Sequence, residues 1–176
     1  MLSLSILAAL LLGWCTGGRL ARFERCGLRL LPLPALALLL QRISCAPWAL
    51  LLSYGLLFLF VLYNRHLKKT AFFLGLGSAC NLAVIAANHW RMPVSRQVVD
   101  LLSPQAAADL LAGNIPMYAV AGEGTRLLIL GDILYCPLPV LGGFASIGDL
   151  LLMLGVFFGI LAAMAPHRLP GWMSRG

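Results

Sequence analysis

Two aspartates, Asp132 and Asp149, are the residues of this sequence best suited to chemistry. Each follows a glycine, and no other charged residue falls between Leu127 and Ile160. A carboxylate at the lip of a membrane helix is costly unless it is solvated or put to use. Two carboxylates forced close together cannot both ionise easily, so one keeps a proton and acts as an acid while the other acts as a base. That is the chemistry of an aspartyl hydrolase, with Asp132 and Asp149 as its candidate catalytic pair. A structural role is the alternative. Asp149 then sits in a helix first turn, favoured by the macrodipole, and Asp132 caps a turn or pairs with Arg91 or Arg126. Asn81, Asn88, Arg91 and Glu123 are the candidate substrate- or loop-orienting residues. His89 beside Trp90 reads as an interfacial side chain. No second histidine sits at ligand spacing, so neither a metal nor a cofactor is expected. Gly-x-Ser-x-Gly, a Gly-rich phosphate loop and a haem motif are all missing from the sequence.

The elements that must position these residues are apolar. Of 176 residues, 61% are apolar and 11% charged, with a mean hydropathy of +0.92. This is the balance of an integral membrane protein, and the length suits a single membrane domain, 1–176. Expected spans are 2–18, 28–45, 47–63, 70–88 and 147–165, with an outer loop over 89–146. The net charge of +7 comes from 13 Lys and Arg against 6 acids. The basic residues cluster at helix ends, as topology signals and lipid-headgroup contacts, so nucleic acid is not an expected partner. Arg19, Arg22, Arg25 and Arg29 mark one cytoplasmic loop, and Arg65, Lys68 and Lys69 mark another. With His167, Arg168 and Arg175 inside, the N-terminus is outside and the C-terminus cytoplasmic. The first run lacks a basic n-region and an A-x-A signal and is kept as a membrane helix.

Within the outer loop, 96–112 has apolar residues at helical spacing and predicts a pair of short amphipathic helices, broken near Ser103-Pro104. Residues 127–142, with Asp132, Pro137, Pro139 and a glycine pair, predict a partly buried loop or short re-entrant element. Of the five cysteines, only Cys45 and Cys136 could meet on one face, and no disulfide is expected.

An ordered motif set carries a resemblance. It runs Asn81, Asn88, Arg91-Met92-Pro93-Val94, Glu123-x-Thr125, Leu130-Gly131-Asp132 and Phe144-x-Ser146-Ile147-Gly148-Asp149. Over roughly 50–165 it resembles an uncharacterised family of bacterial multi-pass membrane proteins, a domain of unknown function. That resemblance implies a fold and topology but no activity, and it places the chain in a bacterial inner (plasma) membrane. A weaker resemblance is to lipoprotein signal peptidase, an aspartic membrane protease. Phe144-Ala-Ser-Ile-Gly-Asp149 approximates the motif that opens its last helix. The resemblance implies a catalytic place for Asp149, but its first catalytic aspartate has no counterpart, since Asn81 is followed by Leu82, Ala83 and Val84.

The expected fold is therefore all-α and polytopic, with about five transmembrane helices. The expected function is an accessory or structural subunit of a membrane complex, with membrane lipids and other membrane subunits as partners. The alternative is a signal-peptidase-like aspartyl hydrolase or binding protein for a lipid-linked or peptide substrate at the outer leaflet.

Overall fold

The computed structural model describes residues 2–138 and 143–174; Pro139, Gly142 and Arg175 of the motifs above lie outside them. In chain order the elements are α1 (Leu2–Cys15), a 3-10 helix (Leu20–Cys26), α2 (Pro32–Ile43), α3 (Pro47–Tyr63) and α4 (Lys68–Ala87). Then come β1 (Met92–Val94), α5 (Arg96–Val99), α6 (Pro104–Leu111), β2 (Tyr118–Val120) and a second 3-10 helix (Leu128–Leu130). The chain continues through β3 (Asp132–Cys136), β4 (Gly143–Ser146), α7 (Ile147–Met164) and α8 (Gly171–Ser174).

The apolar runs form helices, but two are shorter than their sequence suggests. α1 stops at Cys15 because Gly17 turns left-handed at φ +84° and the Gly18 N–H folds back onto the Gly13 carbonyl at 2.7 Å. α2 starts only at Pro32, which needs no N–H partner in a first turn. The chain before it is pinned elsewhere: Asn64 accepts from the Arg29 N–H at 2.8 Å and donates to the Arg29 carbonyl at 2.9 Å. Two helices, α4 and α7, are long and apolar enough to cross a membrane; α1, α2 and α3 are apolar but shorter.

α4 packs on α7, α1 on α7, α2 on α3 and α3 on α4. The arginine-rich segments gather at one end of these helices. There the Arg19 N–H donates to the Met164 carbonyl at 3.0 Å, Arg22 Nη1 to Ala165 O at 2.8 Å, and the Arg168 N–H to Thr16 O at 3.1 Å. Asp100, Asp109, Glu123, Asp132 and Asp149 belong to the opposite end, which carries a small sheet. An apolar cavity of about 260 Å³ lies between α2, α3, α4 and α7, walled in part by Leu38, Phe60, Leu74 and Val156.

The sheet corrects the all-α expectation. Its strand order is β2-β1-β3-β4, with β1 parallel to both β2 and β3, and β3 antiparallel to β4. Part of 127–142, expected as an irregular buried loop, is thus a 3-10 helix and strand β3. Asp132, Leu134, Tyr135 and Cys136 pair with β4, the ladder being irregular between Asp132 and Leu134, so much of this backbone is satisfied internally. The central strand holds Pro93. The neighbours' bonds show why it is tolerated: the Met92 N–H and the Val94 carbonyl face β2, and the Ser95 N–H reaches the Asp132 carbonyl of β3 at 3.0 Å. By alternation, the position of the missing Pro93 N–H faces β3 before that strand begins, so no ladder bond is lost.

The helix pair over 96–112 forms as α5 and α6, capped by Ser95 and Ser103. Its apolar side chains do not lie free. Val98, Val99 and Leu110 close a small core with Val94, against which Tyr118, Val120 and Phe144 pack. A second core, of Leu50, Tyr54, Val84, Ile85 and Met92, joins the sheet to α3 and α4. Cys45 and Cys136 are free thiols.

Candidate functional site

The site is built where β4 runs into α7. Ser146 is the N-cap of α7, and its hydroxyl oxygen accepts from the Asp149 N–H at 2.9 Å. The Asp149 carboxylate returns the contact, with Oδ2 accepting from the Ser146 N–H at 3.1 Å. This reciprocal capping box satisfies two donors that a helix start leaves orphaned. Asp149 Oδ1 accepts a third bond, from Asn81 Nδ2 of α4 at 2.8 Å. Asn81 Oδ1 in turn accepts from the Ser146 hydroxyl at 2.8 Å. Asn81, Ser146 and Asp149 therefore form a closed ring in which both carboxylate oxygens accept from N–H groups.

Only glycine lets the ring close. A Cβ on Gly148 would lie 2.0 Å from Asn81 Oδ1 and 2.9 Å from the Gly77 carbonyl. A Cβ on Gly77 would lie 2.7 Å from the Gly148 carbonyl. The backbones of α4 and α7 approach closely here, with Asn81 and Leu152 packed against the two glycines.

Asp132 sits opposite Ser146 in the β3–β4 ladder, so both aspartates flank the same serine. It is only 2% exposed, and its Oδ1 is buried with no hydrogen-bond partner. Burial is the first cause that pushes its carboxyl up to about 7, and the Asp149 charge is the second. The Tyr118 hydroxyl is raised to about 12, first by burial and then by the charges of Asp132 and Asp149, with Arg42 opposing. Among the described residues neither Arg91 nor Arg126 pairs with Asp132.

The other sequence candidates lie apart from this ring. Asn88, at the end of α4, grips the backbone of Arg126: Oδ1 accepts from its N–H at 2.9 Å and Nδ2 donates to its carbonyl at 2.8 Å. Asn64 does the same to Arg29 at the arginine-rich end, a clamp that sequence reading missed. Its signal was an asparagine directly after an apolar helix. The Arg91 side chain is exposed. Glu123 is exposed in the loop after β2, beside a cleft that also holds Arg96. Ser146 was legible as Ser-x-x-Asp before an apolar run, a helix-start pattern. Nothing local marks Tyr118, whose place depends on the sheet.

The family model described as "Family of unknown function (DUF5317)" matches residues 36–161. The chain belongs to this family. The match spans α2 to α7 and so includes the ring, Asp132 and the sheet. No curated protein and no solved structure matches.

The ring supports a first prediction. Asp149→Asn puts an amide NH₂ where one of two N–H donors now points, leaving a buried donor unpaired. Thermal unfolding in detergent should show a loss of roughly 1–3 kcal/mol. Unchanged stability would mean that the ring does not hold α4 to α7.

Proposed function

We propose that this family member is a non-catalytic membrane protein, an accessory or structural subunit of a larger membrane complex. The observation that carries this reading is that both oxygens of the Asp149 carboxylate accept from N–H donors of the protein itself. One oxygen caps α7 and the other ties α7 to α4, the engagement expected of a structural carboxylate.

On this reading residues 1–176 form one membrane domain with five spans, α1, α2, α3, α4 and α7. Exposed large apolar side chains on all five support it, among them Leu11, Leu39, Leu51, Phe72 and Leu154. The three shorter helices would thin the bilayer locally or lean on neighbours, each at modest cost. The arginine-rich end faces the cytoplasm of a bacterial inner membrane, the sheet end faces outward, and the N-terminus is outside with the C-terminus cytoplasmic. Membrane lipids and other membrane subunits are its partners, and nucleic acid is not.

The topology has a direct test in a cysteine-free background. A cysteine placed by Gly124→Cys, where a side chain meets open space, should label with an impermeant maleimide in intact cells. One placed by Arg65→Cys should label only after lysis. The reverse pattern would overturn the orientation, and labelling of both would overturn the five-span reading.

One observation favours a second reading, a signal-peptidase-like aspartyl hydrolase or a binding protein for a lipid-linked or peptide substrate. Asp132 keeps a buried oxygen without a partner next to a second aspartate. Cleavage of a peptide substrate that is lost in both Asp132→Asn and Asp149→Asn, with folding intact, would replace the first reading by this one.

A further inference from the structure

The small sheet has a feature that the aspartates do not use. β1 is central; the chain leaves it through α5 and α6 to reach β2 on one side, then crosses to β3 on the other. In open sheets with parallel strands, the crevice beyond the strand carboxyl ends at such a switch point is where ligands bind. β1 and β2 end level, at the pair Val94 and Val120, while β3 only begins there, at Asp132 opposite Val94. β3 therefore projects past its neighbours and walls a cleft of about 720 Å³ over their ends.

Its lining is polar and charged above an apolar side. Ser95, Arg96 and Gln97 follow β1, Glu123 follows β2, and Leu128 and Ile133 supply the apolar wall. Ile133 lines the cleft, whereas the neighbouring Asp132 is buried and is not part of its lining; the ladder is irregular between Asp132 and Leu134. Arg96 is held in place by its Nε, which donates to the Ala121 carbonyl at 3.3 Å. That contact leaves the Nη groups of its guanidinium available, and no other partner of Arg96 occurs among the described residues. The Glu123 carboxylate has none either. Glu123 is carried on a tight turn, closed by the Gly122 N–H on Thr125 Oγ1 at 2.9 Å and the Thr125 N–H on Gly122 O at 3.1 Å. A cation anchored through its Nε and an anion carried on a closed turn thus line one cleft without pairing to each other.

The geometry points to a binding site for a small zwitterion, with its carboxylate or phosphate on Arg96 and its ammonium on Glu123. An aliphatic portion rests on Leu128 and Ile133. Arginine suits a planar or tetrahedral oxyanion through paired N–H donors. The site does not depend on how the helices lie in a membrane. Two sources share this chemistry, a free α-amino acid and a phosphoethanolamine headgroup.

The test uses the full chain in detergent and isothermal titration with leucine and with phosphoethanolamine. At least one should bind, and the one that binds names the source. Isovalerate and isopentylamine, each carrying one of leucine's two charges, should bind more weakly than leucine if leucine is the ligand. Glu123→Gln, which disturbs no bond within the protein, should weaken the zwitterion by about tenfold or more. Arg96→Gln should do the same, with thermal unfolding as the check that its lost contact to Ala121 leaves the fold intact. Binding of neither zwitterion, or zwitterion binding that survives Glu123→Gln unchanged, would overturn the proposal.

Discussion

Gly148→Ala should be among the most damaging single substitutions in the chain, lowering stability by about 3–5 kcal/mol. The added methyl would sit 2.0 Å from Asn81 Oδ1. An asparagine side chain can usually swing away, but this one is fixed at both ends, by Asp149 at 2.8 Å and by the Ser146 hydroxyl at 2.8 Å. Moving it breaks both bonds and leaves buried groups unpaired. Keeping it requires α4 and α7 to separate, and the Gly77 carbonyl, 2.9 Å from the same methyl, belongs to backbone that cannot rotate aside. Either route loses packing along the tightest contact between these helices, where a Cβ on Gly155 would also collide with Leu74 at 2.6 Å. Gly124→Ala is the control, because its methyl meets open space and should change stability by less than about 0.5 kcal/mol. Equal unfolding midpoints for the two variants in detergent would show that the ring and its close backbone approach do not hold the helices.

These glycines explain why some of the molecule was legible in the sequence and some was not. Apolar runs marked the five helices, since hydrophobic length is a property of the run itself. Their ends were less legible: Gly17-Gly18 and the Asn64 clamp set limits that act through residues outside the run. The capped pair α5 and α6 was readable from Ser103-Pro104 and the spacing of Val98, Leu101, Leu102, Leu110 and Leu111, although Leu101 and Leu111 are exposed. The sheet was not. β1 is three residues with proline at its centre, which argues against a central strand until the late start of β3 is known. Gly131 appeared only as part of the Leu130-Gly131-Asp132 motif, yet a Cβ there would lie 2.6 Å from the Pro93 carbonyl, so β3 comes beside β1 at a close backbone approach. Asp149 was recognisable as a helix-start residue. Its tie to Asn81 joins residues 68 apart and could not be read from either one.

Asp132 gives the largest expected dependence on pH. Its carboxyl is held at about 7 against an ordinary value of 3.8. Between those values the unfolded chain has released this proton while the folded chain keeps it. The folded state then binds more protons, so stability falls as pH rises, by up to about 1.4 kcal/mol per unit from this group alone. The contribution is complete below about pH 4, declines through neutrality and is flat well above 7. Asp132→Asn cannot titrate, so the wild type should lose stability relative to this variant by a few kcal/mol between pH 4 and 8. Over this range the comparison is the difference in thermal midpoint at each pH, which cancels the titration of groups that do not interact with Asp132. Parallel curves would mean that Asp132 is solvated or paired in solution. The same measurement on Asp149→Asn separates the two causes. Burial is the larger one and the Asp149 charge the smaller, so removing that charge should move the inflection to lower pH without restoring the ordinary value. A pair that shared one proton, as an aspartyl hydrolase requires, would behave differently. Its inflection would collapse towards the ordinary carboxylate range once either partner was gone.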